Sequence, residues 1–195
     1  MQKFGAILDE EVRKSAMCHA VVETPSLIDY EKFSNYDKLH RVFAYVFLFL
    51  DKVQKKNRPA SDSAATLLLP VHFELAEQFL VRDAQKSLDP SKYESLQPRT
   101  LKYEDARGQQ RRSIVISGRL GQHLRIGYDK TDLPLIEYKS PLARLIMLKA
   151  HNAAHSGLDK TVQRSRNHVW IVRGSQLAKT IRYNCFCCKI RDFIQ

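Results

Sequence analysis

The last third of this 195-residue chain carries two histidines and two cysteines as H-x3-H, 29 intervening residues, then C-x2-C: His151, His155, Cys185 and Cys188. No other feature restricts the fold as much. Histidines four apart point the same way from a helix. Cysteines separated by two residues can wrap one ion from a tight turn. Together they make the tetrahedral N2S2 set that zinc prefers in structural sites, with every position filled by protein. The expectation is one structural Zn2+ and no open catalytic position. Cys187 competes with Cys188, but two spacers let both sulfurs face one ion, so Cys187 is expected to be free and near the site. His168 reads as a helix-face residue and Trp170 as core. Cys18 and His19 have no matching pair and take no metal role.

The surrounding segment reads as a small helical module. Ser140 and Pro141 open a helix as cap and first residue, expected over 141–155. Leu142, Leu145, Ile146, Met147 and Leu148 give it a broad apolar face, and Ser156-Gly157 is expected to stop it. Asp159 can cap a second helix, 160–169, with Val162 and Val169 inward. Arg173-Gly174-Ser175 turns into a third, 176–183, with Leu177 and Ile181 inward and the cysteines directly after. A unit of about 50 residues is marginal on core burial alone. A structural zinc, worth roughly 10–16 kcal/mol apparent, can supply the deficit.

Upstream, the period of the pattern changes twice. Residues 36–56 read as a strong helix capped by Ser34 or Asn35, with Leu39, Val42, Phe43, Val46, Phe47 and Leu50 at helical spacing. Residues 59–66 (PASDSAAT) form a loop by composition. A second helix, 72–87, presents Leu75, Ala76, Phe79, Leu80 and Ala84, so the two are expected to pair. Residues 90–112 look polar and irregular. Then SIVIS (113–117) and QHLRIGY (122–128) alternate like strands joined by a glycine-bearing turn, with 133–138 as a third strand or extended lead-in. Residues 1–30 are weakly patterned, with a short helix expected over 8–20. The chain is thus expected to be mainly α with a small β element: a weakly structured segment 1–30, a helical region 31–112 containing the helix pair, a β-hairpin element 113–139, and a zinc-stapled three-helix module 140–195.

Composition is that of a soluble globular protein, 44% hydrophobic and 27% charged. The longest apolar run, VFAYVFLFL at 42–50, is too short for a bilayer, which needs about 20 residues. No membrane partner and an intracellular, reducing location are expected, the latter because thiols must stay free for metal. KVQKKNR (52–58) is a short basic cluster compatible with the nucleus. Net charge is +11, and residues 141–195 hold ten Lys/Arg against two Asp, leaving +3 for the rest. Basic charge concentrated on the metal segment is an electrostatic footprint for nucleic acid. The candidate contacts are Lys160, Arg164, Arg166, Arg173, Lys179, Arg182, Lys189 and Arg191, expected mostly to touch phosphates. Self-association through the stripes at 39–50, 75–84 or 142–148 is the competing reading. No small-molecule substrate is expected.

The stretch PLARLIMLKAHNAAHSGLDKTVQRSRNHVWIVRGSQLAKTIRYNCFCCK resembles the H2C2 zinc-binding domain at the front of retroviral and retrotransposon integrases. Shared features are H-x3-H-S-G, Thr161, the Trp170-Ile171 pair, a basic third helix and C-x2-C, over residues 140–190. Softer likenesses at Phe33-Ser34, Lys38-Leu39, AEQFLVRDAQ (76–85) and Gly118-Arg119-Leu120 resemble the connecting region ahead of integrase in BEL/Pao-type retrotransposon polyproteins. The resemblance implies a module that binds nucleic acid, DNA in the first instance, and holds a multimer together. In that family a ribonuclease-H-like core follows with D,D,E carboxylates that hold divalent metal. No such set is legible here: Asp192 is too close to the zinc motif, and Asp62, Glu74, Glu77, Asp83 and Asp105 do not fall on a matching strand–strand–helix pattern. The expectation is a retroelement-derived binding module that is not an enzyme; a non-functional relic is the remaining alternative.

Overall fold

The computed structural model describes residues 28–56, 67–117 and 132–194. The expected helix at 8–20, the loop at 59–66, the strand at 122–128 and its glycine turn lie outside these residues, as do Cys18, His19 and Asp62.

A 3-10 turn, Tyr30–Lys32, leads into α1, Tyr36–Lys56. Asn35 caps α1, its Oδ1 accepting from the Asp37 amide at 2.7 Å. α2 spans Pro70–Ala84 and ends three residues before the expected boundary. Its entry is held by His72, whose Nδ1 accepts from the Leu69 amide at 2.9 Å. The helices pair as anticipated, but not through the whole expected stripe. Phe43 and Phe47 meet Phe79 at centroid distances of 5.4 and 6.0 Å, and His40 meets Phe73 at 5.2 Å. Tyr36, Leu39, Ala44 and Leu48 are buried, whereas Val42, Val46 and Leu50 are exposed. α1 carries more apolar surface than one neighbouring face can cover, so the 3.6-residue period alone did not say which part faces inward.

After a 3-10 segment, Pro90–Leu96, the chain forms β1, Arg99–Glu104, and β2, Gln110–Ser117, as an antiparallel hairpin. The polar sequence of residues 90–112 gives no sign of this hairpin. β1 is exposed at nearly every position, so it has no apolar alternation to read; the ladder to β2 makes it a strand. The turn is built by Asp105, whose carboxylate accepts from the amides of Arg107 (2.9 Å) and Gln109 (3.0 Å), with Gly108 at φ +72°. Arg107 then reaches Asp51 on α1, which also accepts from His72 Nε2, tying the hairpin tip to the helix pair. The boundary drawn at 112–113 therefore cuts through β2.

β3, Asp132–Ile136, runs antiparallel to β2, and β4, Trp170–Ile171, runs parallel to β3. Sheet order is β1-β2-β3-β4. β4 was not anticipated; two residues carry no period. It matters because it sews the C-terminal module to the sheet, together with the Val172 amide donating to the Ile136 carbonyl at 2.9 Å.

That module consists of α3 (Pro141–Asn152), α4 (Leu158–Ser165), α5 (Gly174–Asn184) and α6 (Phe186–Ile194), four helices where three were expected. Leu142, Ala143, Leu145, Ile146 and Met147 of α3 are all buried, as its broad apolar face demanded. The principal hydrophobic cluster runs from Ile28 and Leu39 through Leu80 to Val169 and Ile181, so helix pair and module share one core. Overall the chain is mainly α with a small β element. Among the described residues no helix is long and apolar enough to cross a membrane.

One buried side chain links layers. Gln85, just past α2, donates from Nε2 to the carbonyls of Ile114 (2.7 Å) and Leu135 (2.9 Å). Its Oε1 accepts from the Ile114 amide at 3.0 Å and the Ser113 hydroxyl at 3.1 Å. Gln85→Leu leaves these groups buried without partners and is expected to cost about 2–4 kcal/mol, read as a lower urea midpoint at unchanged slope.

Candidate metal centre

His151 and His155 do not sit on one helical face as their spacing suggested. α3 ends at Asn152, and His155 lies beyond it in the left-handed region, φ +43°. The His155 amide still donates to the His151 carbonyl at 2.7 Å, closing the last turn. A left-handed residue at this place is usually glycine. Here His155 makes the helix exit itself, at a cost of about 1–2 kcal/mol, and Gly157, expected to do so, instead caps α4 at φ −57°. Asp159, expected as the cap, falls in the first turn of α4. Thr161 is fully buried and clamps the intervening turn, its hydroxyl donating to the Gly157 carbonyl at 3.0 Å and facing that of Ser156 at 3.3 Å.

The cysteines come from a helix junction, not a simple turn. Cys185 is the extended residue closing α5, and α6 starts at Phe186. The Lys189 amide donates to the Cys185 carbonyl at 3.1 Å, so Cys185 is also the first residue of the α6 hydrogen-bond ladder. Cys188, three residues on, therefore returns to the same side as Cys185. Cys187 lies about 100° round the helix from Cys188, is exposed, and is not among the four residues whose donor atoms converge. The α6 N-terminus also favours negative charge on the sulfurs.

The four side chains converge, with one donor atom of each within 4.8 Å of the others. Cys185 Sγ lies 3.2 Å from His155 Nδ1, and Cys188 Sγ lies 3.4 Å from His151 Nε2. A tetrahedral zinc with ordinary Zn–S and Zn–N bonds sets sulfur and nitrogen about 3.5 Å apart, so the donor set fits such an ion. Electrostatics agree. Burial holds the His151 imidazole below its usual pKa, helped by His155, Arg182 and Arg191, which favours the neutral ligating form. Burial and the neighbouring Cys185 push the Cys188 thiol up, so its thiolate needs a cation beside it. Arg191, predicted as a phosphate contact, is engaged at the site: its Nη2 donates to the His155 carbonyl at 2.6 Å and approaches Cys188 Sγ at 3.5 Å.

The other basic residues divide. Lys160 and Lys179 are exposed. Arg182 pairs with both carboxylate oxygens of Asp192 at 3.0 Å, and Arg164 donates to the Ser156 hydroxyl at 3.0 Å. Lys189 lies over the Tyr183 ring at 5.1 Å. Arg166 lies over Trp170 at 4.4 Å and Arg173 over Tyr138 at 5.7 Å. His168 is not on a helix face, because α4 stops at Ser165; its Nδ1 faces Glu77 Oε1 at 3.0 Å. Trp170 is half-buried at the sheet edge and not full core.

Arg166, Trp170 and Arg173 line one cavity of about 390 Å3 with Lys92, Ser95 and Ser175, and no acidic residue lines it. Lys92 comes from the 3-10 segment, far from the metal motif in sequence, and sequence reasoning missed it. No family model matches this chain, and no curated protein or solved structure matches it either.

Cys188→Ser is expected to abolish metal retention, while Cys187→Ser keeps one zinc per chain, as read by elemental analysis of the reduced, purified protein. Chelation of the wild type should lower its melting temperature by more than 10 °C, since a structural zinc of this class is worth roughly 10 kcal/mol or more.

Proposed function

We propose that this chain is a zinc-stapled nucleic-acid-binding module, as its integrase-type resemblance implies, and that it acts by binding and not by catalysis. The observation that carries the reading is the cavity where Lys92, Arg166 and Arg173 meet beside Trp170 with no acid in its lining, Asp89 pairing with Lys92 at 4.0 Å from outside and Glu137 accepting from Tyr93. Three cations from separate parts of the fold converge there, and α5 begins at the same place with no side-chain cap on its first amides. Phosphates are recognised by such arrangements, and an indole beside them can stack on a base. Lys160 and Lys179, both exposed, extend the positive surface.

Zinc, in this reading, is structural. His151, His155, Cys185 and Cys188 would fill its coordination, which leaves no place for a substrate. The ion would lock α3 to the α5–α6 junction and so hold the basic helices in place. Of the carboxylates weighed as catalytic candidates, Glu77 faces His168, Asp83 accepts from Tyr30, and Asp105 pairs with Arg111.

Filter binding with duplex and single-stranded oligonucleotides tests this. With three phosphate contacts, affinity should fall about 40-fold between 50 and 200 mM salt. Lys92→Gln and Arg173→Gln should each lower the log–log salt slope by about 1 while retaining zinc. Binding absent at low ionic strength would sink the proposal.

A further inference from the structure

α1 has a second apolar face that nothing among the described residues covers. Val42, Tyr45, Val46, Phe49, Leu50 and Val53 are 37–63% exposed. Isolated exposed apolar residues are ordinary, but a contiguous band is not. Within this band Val42, Val46, Phe49 and Val53 follow a 4-3-4 spacing, the repeat of a seam that packs against another helix. The seam runs about 16 Å along the helix and contains no charged residue. Of the three stripes expected to mediate self-association, those at 75–84 and 142–148 are spent on the core, with Leu75, Ala76, Leu80, Leu142, Leu145, Ile146 and Met147 buried, whereas the 39–50 stripe leaves Val42, Val46 and Leu50 exposed.

We infer that this face of α1 binds the same face of a second copy of the chain, making an isologous dimer. Area supports this occupant. The six residues leave roughly 500 Å2 of mostly apolar surface in water per copy, so pairing removes up to roughly 1,000 Å2, about the smallest area of a specific interface. Symmetry adds to the case, since a self-complementary strip needs only a two-fold axis across it. The acids of α1 are already engaged inside the chain, Asp37 with Lys149 and Asp51 with His72 and Arg107. Lys38, Arg41 and Lys52 remain on α1, and pairing brings them nearer to their copies. Salt screens that repulsion, so dimerisation strengthens with salt, opposite to the effect on nucleic-acid binding. The inference goes beyond the proposed function and does not rest on it.

Sedimentation equilibrium of the zinc-loaded full chain over about 1–100 μM is the test, with this span bracketing micromolar affinity. A monomer–dimer equilibrium is expected, tighter at 500 mM than at 100 mM salt. Val46→Glu and Phe49→Glu should each weaken it at least tenfold while zinc content and melting temperature stay near wild type, because both sites face solvent in the monomer. A strict monomer overturns the inference, as does a dimer unaffected by both variants or one broken instead by Phe193→Glu on α6. Alkylation of Phe49→Cys separates the last alternative. Protection that grows with concentration supports the dimer, whereas concentration-independent protection means that another part of the same chain covers the seam and overturns it.

Discussion

Two imidazoles and two cysteine sulfurs, with one donor atom of each within 4.8 Å of the others, form the convergence on which the C-terminal module closes. Burial disfavours the Cys188 thiolate and the His151 imidazolium, so ligation through Cys188 would come with a cation that compensates the thiolate charge. A divalent ion held by the four donors would supply that charge. The rest of the C-terminal module is built around that convergence. His155 is held in a backbone conformation that disfavours a side chain, Cys185 is shared between the end of α5 and the start of α6, and Arg191 bridges the His155 carbonyl and the Cys188 sulfur. Each is a local cost or a long-range contact that a short helix could not sustain alone.

The module is not independent of what precedes it. α3 buries five apolar residues into the cluster shared with α1 and α2. β4 extends the sheet through β3, and Gln85 satisfies backbone groups of both β2 and β3 from the end of α2. These links set the distance between the 3-10 segment and α5, and so create the acid-free cavity of Lys92, Arg166, Trp170 and Arg173. The proposed binding surface would thus depend on metal closure through the position of α5, and it depends on the sheet through β4.

Legibility differed by the kind of signal. Helices α1 to α5 were readable because each carries an apolar stripe at helical spacing or a capping pair. α6 was missed since its apolar residues, Phe186, Ile190, Phe193 and Ile194, face solvent and nothing in one sequence distinguishes that from a fraying end. β1 was missed because its partner, not its own pattern, makes it a strand. The eight basic residues were equivalent as letters. In space Arg191, Arg182 and Arg164 donate to neighbouring polar groups, while Arg166 and Arg173 lie over aromatic rings and line one cavity with Lys92, a lysine that the motif did not contain.

The sequence by itself determined the donor set, the mainly helical class and the concentration of positive charge, because ligand type, periodicity and charge are local properties of the chain. Tertiary structure alone decided which half of the α1 stripe is buried, which nitrogen of each histidine faces a sulfur, and which cations share a cavity. Those outcomes depend on what packs opposite each residue, and a partner distant along the chain leaves no mark on the residue it will meet.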